Sequence, residues 1–311
     1  MNAPAVQTDA HAAARRGFFL ALGAYFLWGL LPFYMKAVAH LPLAEVIANR
    51  IVWSVPIAAA VLVWAGRTAD FKAAIRSPRT LAMVVLTATL ISVNWGIYVW
   101  AIAVGRAVET ALGYYINPLV IVVVGAVLLG ERLDRLQMAA VALAAIAVIV
   151  LTVEGGTLPW VSLALALTFA AYGFFRKTLP IGPSQGFLLE VLLLSVPALG
   201  YIVYLVATGQ DHLVSGNLTD RALLVGCGPV TAVPLLLFAF GTKLLRLSTI
   251  GIMQYIAPTM VFLIAVLAFG EPFGSAQAMA FALIWAALAI YSWSMLSAAR
   301  RVEATSHAPA A

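Results

Sequence analysis

The chain has 311 residues, of which 64% are hydrophobic and 10% charged, with a net charge of +6 and a mean hydropathy of +1.02. A soluble domain carries about 25% charged residues and about 45–50% apolar ones, so this balance excludes a soluble enzyme, a nucleic-acid-binding domain and a disordered protein. The single cysteine, Cys227, permits no intrachain disulfide, and no histidine pair has metal-ligand spacing, so neither a metal nor another cofactor is expected.

Residues 1–16 are polar and Ala-rich and end in Arg15-Arg16. They read as a flexible cytoplasmic tail, and the long apolar run that follows suits a spanning helix better than a signal-peptide core. A hydrocarbon layer about 30 Å thick needs about 20 apolar residues of helix. Ten runs meet that need: 17–38, 43–65, 80–104, 107–130, 136–153, 158–179, 184–207, 221–244, 247–270 and 274–297. Residues 298–311 read as a second polar tail on the cytoplasmic side. The runs are continuously apolar, which excludes the alternating strands of a transmembrane barrel. The expected fold class is therefore an all-α integral membrane protein with ten transmembrane helices.

The placement of Lys and Arg sets the orientation, because cytoplasmic loops are enriched in them. With the N-terminus inside, 14 of the 18 fall on the inner side, Lys36, Arg106 and Arg221 fall outside, and Arg50 lies within span 2. Both termini are expected in the cytoplasm.

The chain repeats itself. Tyr115-Ile116-Asn117-Pro118 with Gly130-Glu131 and Gln137 matches Tyr255-Ile256-Ala257-Pro258 with Gly270-Glu271 and Gln277 at an offset of 140. Ser54-Val55-Pro56 and Ser195-Val196-Pro197 match at 141, as do Lys36 and Lys177. Two homologous halves follow, 17–153 and 158–297. Five spans in each reverse the direction of the second, so the repeats are inverted. Inverted repeats typify secondary transporters, whose substrate site lies near the midplane between the halves.

Polar residues at membrane depth mark that site, since a charge there is costly unless it faces a cavity or a partner. Arg50 suits a substrate carboxylate through its guanidinium fork. Glu190, from the opposite side, is the candidate for proton coupling. Lys36 closes span 1 after the Pro32 kink and is a candidate for the cavity. On span 3, Asn94 and Tyr98 share a helix face four residues apart, with Trp95 beside them. Spans 4 and 9 carry Tyr115 and Asn117, and Gln254 and Tyr255, beside prolines that free a backbone carbonyl. In this reading Trp95, Tyr98 and Tyr255 pack an apolar body, Asn94, Asn117 and Gln254 orient polar groups, and Tyr115 is a further substrate-binding candidate. Spans 5 and 10, Ala-rich and almost free of polar residues, are expected at the periphery.

Catalysis has no signature here. There is no phosphate loop, nucleophile elbow or Walker motif, so no enzyme is expected.

These residues resemble a known family. Trp28-Gly29 to Tyr34 with Lys36, Glu45 with Arg50 and Trp53-Ser54, Asn94-Trp95 with Tyr98 and Trp100, Gly113 to Leu119, Gly130-Glu131, Gly228-Pro229, Gln254 to Thr259 and Glu271-Pro272 are similar to the drug/metabolite transporter superfamily, EamA family, RarD-type members. The resemblance implies a bacterial inner-membrane transporter with a cavity lined by spans 1–4 and 6–9. The expected partners are a small-molecule substrate, the lipid bilayer and protons, with no nucleic acid, and a monomer or a homodimer is expected. A passive channel or facilitator and a non-transporting membrane sensor are the alternatives.

Overall fold

A computed structural model describes residues 3–66, 68–129, 133–245 and 247–306. The described residues form helices and short connections. In chain order the helices are α1 Ala3–Ala37, α2 Leu43–Trp64, α3 Thr68–Ile75, α4 Pro78–Ala103, α5 Ala107–Leu129 and α6 Arg135–Gly155. They are followed by α7 Trp160–Thr178, α8 Pro183–Thr208, α9 Leu218–Thr242, α10 Leu247–Met253, α11 Ile256–Leu263 and α12 Ser275–Ser306, with a π-helical turn over Ile264–Ala268 after α11.

Local chemistry sets several of these boundaries. Ser77 accepts the amide of Thr80 ahead of α4, and Pro78 supplies a first residue that needs no donor. Asp134 and Gln137 close a reciprocal capping box on α6. Asn217 caps α9 by accepting from the Asp220 amide. Gly209 ends α8 in the left-handed conformation, at φ 65°.

Eight of the described helices are long and apolar enough to cross a membrane, and two shorter apolar stretches, Trp160–Arg176 and Ile256–Ala268, stand where spans 6 and 9 were expected. Span 9 departs most from expectation. It is broken at Gln254-Tyr255, so α10 and α11 are separate. Pro258 has no amide to offer and its ring crowds the carbonyl four residues back, at Gln254. Pro118, in the matching Tyr-Ile-x-Pro run, leaves α5 continuous. The polar ends, expected to be flexible, continue α1 and α12 as helix over residues 3–16 and 298–306; alanine has the highest helix propensity and is abundant in both. The short helix α3 was not anticipated. Glu131 and Arg246 lie outside the described residues, as do Arg67 and Arg132.

Helices pack in defined pairs: α1 with α9 and α11, α2 with α8 and α9, α4 with α7 and α8, α5 with α7 and α11, and α6 with α12. Association between apolar helices in lipid relies on close packing rather than on a hydrophobic drive. Small residues permit it. A methyl on Gly113 would stand 2.7 Å from the Ser162 carbonyl oxygen, and one on Gly228 would stand 2.3 Å from that of Trp53. The α6–α12 seam is built on Ala140, Ala144, Ala147, Ala280 and Ala287, all buried. Only 17% of the apolar window of α6 is buried, so this pair is peripheral. Val127, Val153, Val196 and Leu267 point outward and exposed, which is the arrangement a lipid exterior requires.

Candidate functional site

The remaining helices enclose a cavity of about 480 Å³, with lining from α1, α2, α4, α5, α7, α8, α9 and the α10–α11 break. Neither α6 nor α12 reaches it. Of the ten residues singled out in the sequence, Arg50, Asn94, Trp95, Tyr98, Asn117, Glu190 and Gln254 line this one space.

Arg50 is 3% exposed. Its Nε donates to Thr231 Oγ1 at 3.1 Å, and its Nη1 points to the Met35 sulfur at 3.7 Å. The guanidinium carbon stands 5.0 Å from the ring centre of Trp95, a favourable cation–π placement. No carboxylate among the described residues lies within ion-pair distance of it. Ser54 donates to the Arg50 carbonyl at 2.6 Å, and Thr231 donates to the Cys227 carbonyl at 2.8 Å, so the α2 and α9 backbones both hold this corner.

Glu190 is 2% exposed and has company that the sequence did not suggest. Arg176 Nη1 stands 3.4 Å from Glu190 Oε1, an ion-pair separation without hydrogen-bond alignment. Tyr172 donates its hydroxyl to Oε2 at 3.3 Å. Arg176 counted in the sequence as a cytoplasmic-loop charge. It lies near the end of α7, and Gly186 makes room for it: a methyl there would fall 1.8 Å from Arg176 Nη1. Gly186 and Glu190 are one helical turn apart and share a face.

Asn94 lines the cavity but is engaged elsewhere. Its Nδ2 donates to the Leu165 carbonyl at 3.1 Å and to Thr168 Oγ1 at 2.9 Å, and its Oδ1 accepts from the Tyr114 hydroxyl at 3.2 Å. It ties α4, α5 and α7 together. Asn117 is 6% exposed, and its Oδ1 is buried with no hydrogen-bond partner among the described residues.

Three expected residues stand apart from the cavity. Lys36 is exposed at the end of α1, with its ammonium 5.7 Å from the Phe269 ring centre. It lies beyond the cavity's end, where a lysine stem reaches the interface. Tyr115 and Tyr255 stack on each other with ring centres 6.4 Å apart, and the Tyr115 hydroxyl meets Thr259 Oγ1 at 2.5 Å. They join α5 to α11. Successive helical residues turn by about 100°. Thus Tyr114, one residue back, faces the cavity together with Asn117 three residues on, and Tyr115 faces away. Tyr114 was the neighbouring residue to choose. Trp28, Phe169, Tyr172 and Phe238 were also missed. The spacing of Tyr25, Trp28 and Leu31 on one α1 face was the available signal.

The two ends of the cavity differ. At one end, α1 and α2 are tied to α9 and the loop before it. His40 Nε2 meets Asp220 Oδ1 at 2.8 Å, and Glu45 takes the His212 amide on one oxygen and Nδ1 on the other, each at 2.7 Å. Tyr34 donates to the Leu223 carbonyl. Glu271 spans the same end, accepting the Ala107 and Val108 amides at 2.7 and 2.8 Å. In the loop that carries His212, the Ser215 hydroxyl and the Val214 and Ser215 amides hold the Asp211 carboxyl below its ordinary value. At the other end, Ile181 and Ser184 border both the cavity and a second cleft of about 590 Å³ that reaches Ser77 and Lys243.

Known proteins place the chain. The profile of the EamA-like transporter family matches residues 15–153. Protein RarD of Streptomyces exfoliatus is 40% identical over 296 residues, covering 95% of this chain and 94% of that protein. An "Uncharacterized transporter" of Vibrio cholerae serotype O1 is 40% identical over 285 residues, covering 92% of this chain and 94% of that one. A solved structure titled "Crystal structure of protein" has a TM-score of 0.57 at 21% identity, covering 88% of this chain and 97% of that chain; at that identity it speaks to fold alone.

Proposed function

The chain belongs to the EamA-like transporter family, with RarD proteins among its relatives, and on that premise we propose that it is a secondary carrier. Its cargo is a small amphipathic metabolite, an amino acid or a related aromatic compound, or a drug, moved across the bacterial inner membrane by alternating access. The observation that carries this reading is Arg50, a buried cation on the wall of an aromatic cavity, without a carboxylate partner among the described residues. A charge at membrane depth is retained where it serves a substrate or ion pathway.

Ten spans in two inverted five-helix halves, 17–153 and 158–297, fit the way the helices pair. Exchange of the halves turns the α1–α9 pairing into α7–α4, α1–α11 into α7–α5, and α2–α9 into α8–α4. The α2–α8, α5–α11 and α6–α12 pairings map onto themselves. Each of these pairs is present. One end of the cavity is tied by polar contacts between the halves, and the cleft beside Ile181 and Ser184 adjoins the other. With both termini cytoplasmic, as the Lys and Arg placement implies, the tied end is the outer one. Glu190, exchanging between Arg176 and a proton, is the site of proton coupling.

Counterflow in proteoliposomes tests the reading. Vesicles loaded with one unlabelled amino acid or aromatic carboxylate should accumulate the same compound in labelled form, and Arg50→Ala should abolish that uptake at unchanged insertion. Saturable counterflow with a further rise under a pH gradient is the expected result. Uptake that is linear in concentration and indifferent to Arg50 overturns it in favour of a passive channel.

A further inference from the structure

We infer that the cargo is an organic monoanion: a carboxylate with an aromatic or similarly apolar body and a neutral N–H or O–H group, but no free ammonium. This rests on the carrier reading above and narrows its cargo, from an amino acid or a related aromatic compound to the carboxylate without an ammonium. The charged groups lining the cavity are Arg50, Arg176 and Glu190. Glu190 already faces Arg176 at 3.4 Å and the Tyr172 hydroxyl at 3.3 Å. That pair cancels, and Arg50 leaves one positive charge uncompensated. The contacts of Arg50 are a hydroxyl, a thioether and the Trp95 face. These orient and solvate a guanidinium without neutralising it. A carboxylate supplies the missing countercharge in the planar geometry that a guanidinium matches.

The second observation is Asn117. Its Oδ1 is a buried acceptor with no partner among the described residues, although buried polar atoms are nearly always satisfied. An N–H or O–H donor on the cargo satisfies it, and an amide N–H does so at no cost in charge.

A free amino acid fits this lining poorly. Its ammonium enters a space of net positive charge, and the carboxylate able to receive it is Glu190. Glu190 is already engaged by Arg176 and the Tyr172 hydroxyl, so an ammonium has to compete with both for it.

Isothermal titration of the purified full chain at pH 7.5 with four probes of one aromatic body tests the inference: N-acetylphenylalanine, 3-phenylpropionate, phenylalanine and 2-phenylethylamine. N-acetylphenylalanine should bind tightest and 3-phenylpropionate next. Phenylalanine should bind about tenfold or more weaker than N-acetylphenylalanine, and 2-phenylethylamine should not bind. Asn117→Leu should bring N-acetylphenylalanine down to the level of 3-phenylpropionate. Arg50→Gln should remove carboxylate binding, and Arg50→Lys should restore part of it, which separates loss of charge from loss of fold. Phenylalanine or 2-phenylethylamine binding as tightly as N-acetylphenylalanine overturns the inference, as does failure of both carboxylates to bind. Counterflow with the same probes separates the two readings. Exchange of the amine or the zwitterion through Arg50 overturns the monoanion and keeps the carrier. Binding of N-acetylphenylalanine without any counterflow keeps the monoanion site and overturns the carrier.

Discussion

The guanidinium of Arg50 stands 5.0 Å from the ring centre of Trp95, and the two residues come from different helices, α2 and α4. The ring covers one face of the cation, while Thr231 and Met35 meet its Nε and Nη1. A desolvated cation–π contact is worth about 1–2 kcal/mol, so Trp95→Leu should weaken substrate binding by about 5- to 30-fold. Trp95→Phe keeps a π face and should lose less. Concentration dependence of counterflow for the two variants checks the order.

Gly186 and Arg176 make a sharper test. A methyl at Gly186 would overlap the tip of the Arg176 side chain, 1.8 Å from Nη1. The obstructed group is the far end of a flexible side chain, so the fold should accommodate Gly186→Ala, and alanine also favours helix over glycine. The guanidinium must then leave Glu190. Transport by Gly186→Ala should fall as far as that of Arg176→Gln, while the melting temperature in detergent stays near that of the parent chain. Full activity of Gly186→Ala would show that the Arg176–Glu190 pair is not needed.

Glu271 binds the first two amides of α5 with both carboxylate oxygens. Hydrogen bonds to a charged group contribute about 1.5–3 kcal/mol each, and an anion at a helix N-terminus gains further from the helix dipole. Glu271→Ala should therefore loosen the tied end and raise the population open on that side. The readout is alkylation of a cysteine placed at Leu235, in a Cys227→Ala background, by a membrane-impermeant thiol reagent added outside intact cells. The labelling rate should rise about tenfold or more on Glu271→Ala. An unchanged rate assigns Glu271 to helix capping alone.

The orientation yields its own test. A phosphatase fused after Gly155 should be active, because the loop there faces outward in the ten-span reading. A fusion after Gly182 or at the C-terminus should be inactive, with a fluorescent protein giving the reverse pattern. Activity at both Gly155 and Gly182 would overturn the ten-span count.

Much of the site was legible because lipid penalises polarity. In a chain that is 64% hydrophobic, a residue such as Arg50 or Glu190 stands out at membrane depth, and both line the cavity. Helical spacing was enough to group Asn94 and Tyr98. Rotation about a helix was harder to read. Tyr114 and Tyr115 are adjacent and chemically alike, and only packing of α5 against α11 turns Tyr115 toward Tyr255 and leaves Tyr114 for the cavity. The break in span 9 is a similar case. Pro118 and Pro258 sit in matching Tyr-Ile-x-Pro runs, yet only the second interrupts its helix.

Apolar runs, prolines, Lys and Arg placement and the repeat offset are properties of the chain in order, and from them follow a membrane-embedded helical protein and the stock of residues from which a site could be drawn. Partnership is not a property of order. Arg176 sits beside Lys177 at the end of an apolar run, and the sequence reads it as one more cytoplasmic charge. It reaches Glu190 with its guanidinium over Gly186, which has no side chain to obstruct it. Lys36, also near its helix end, stays exposed over Phe269. The room that Arg176 uses lies on a neighbouring helix, and that room exists only once the helices are packed.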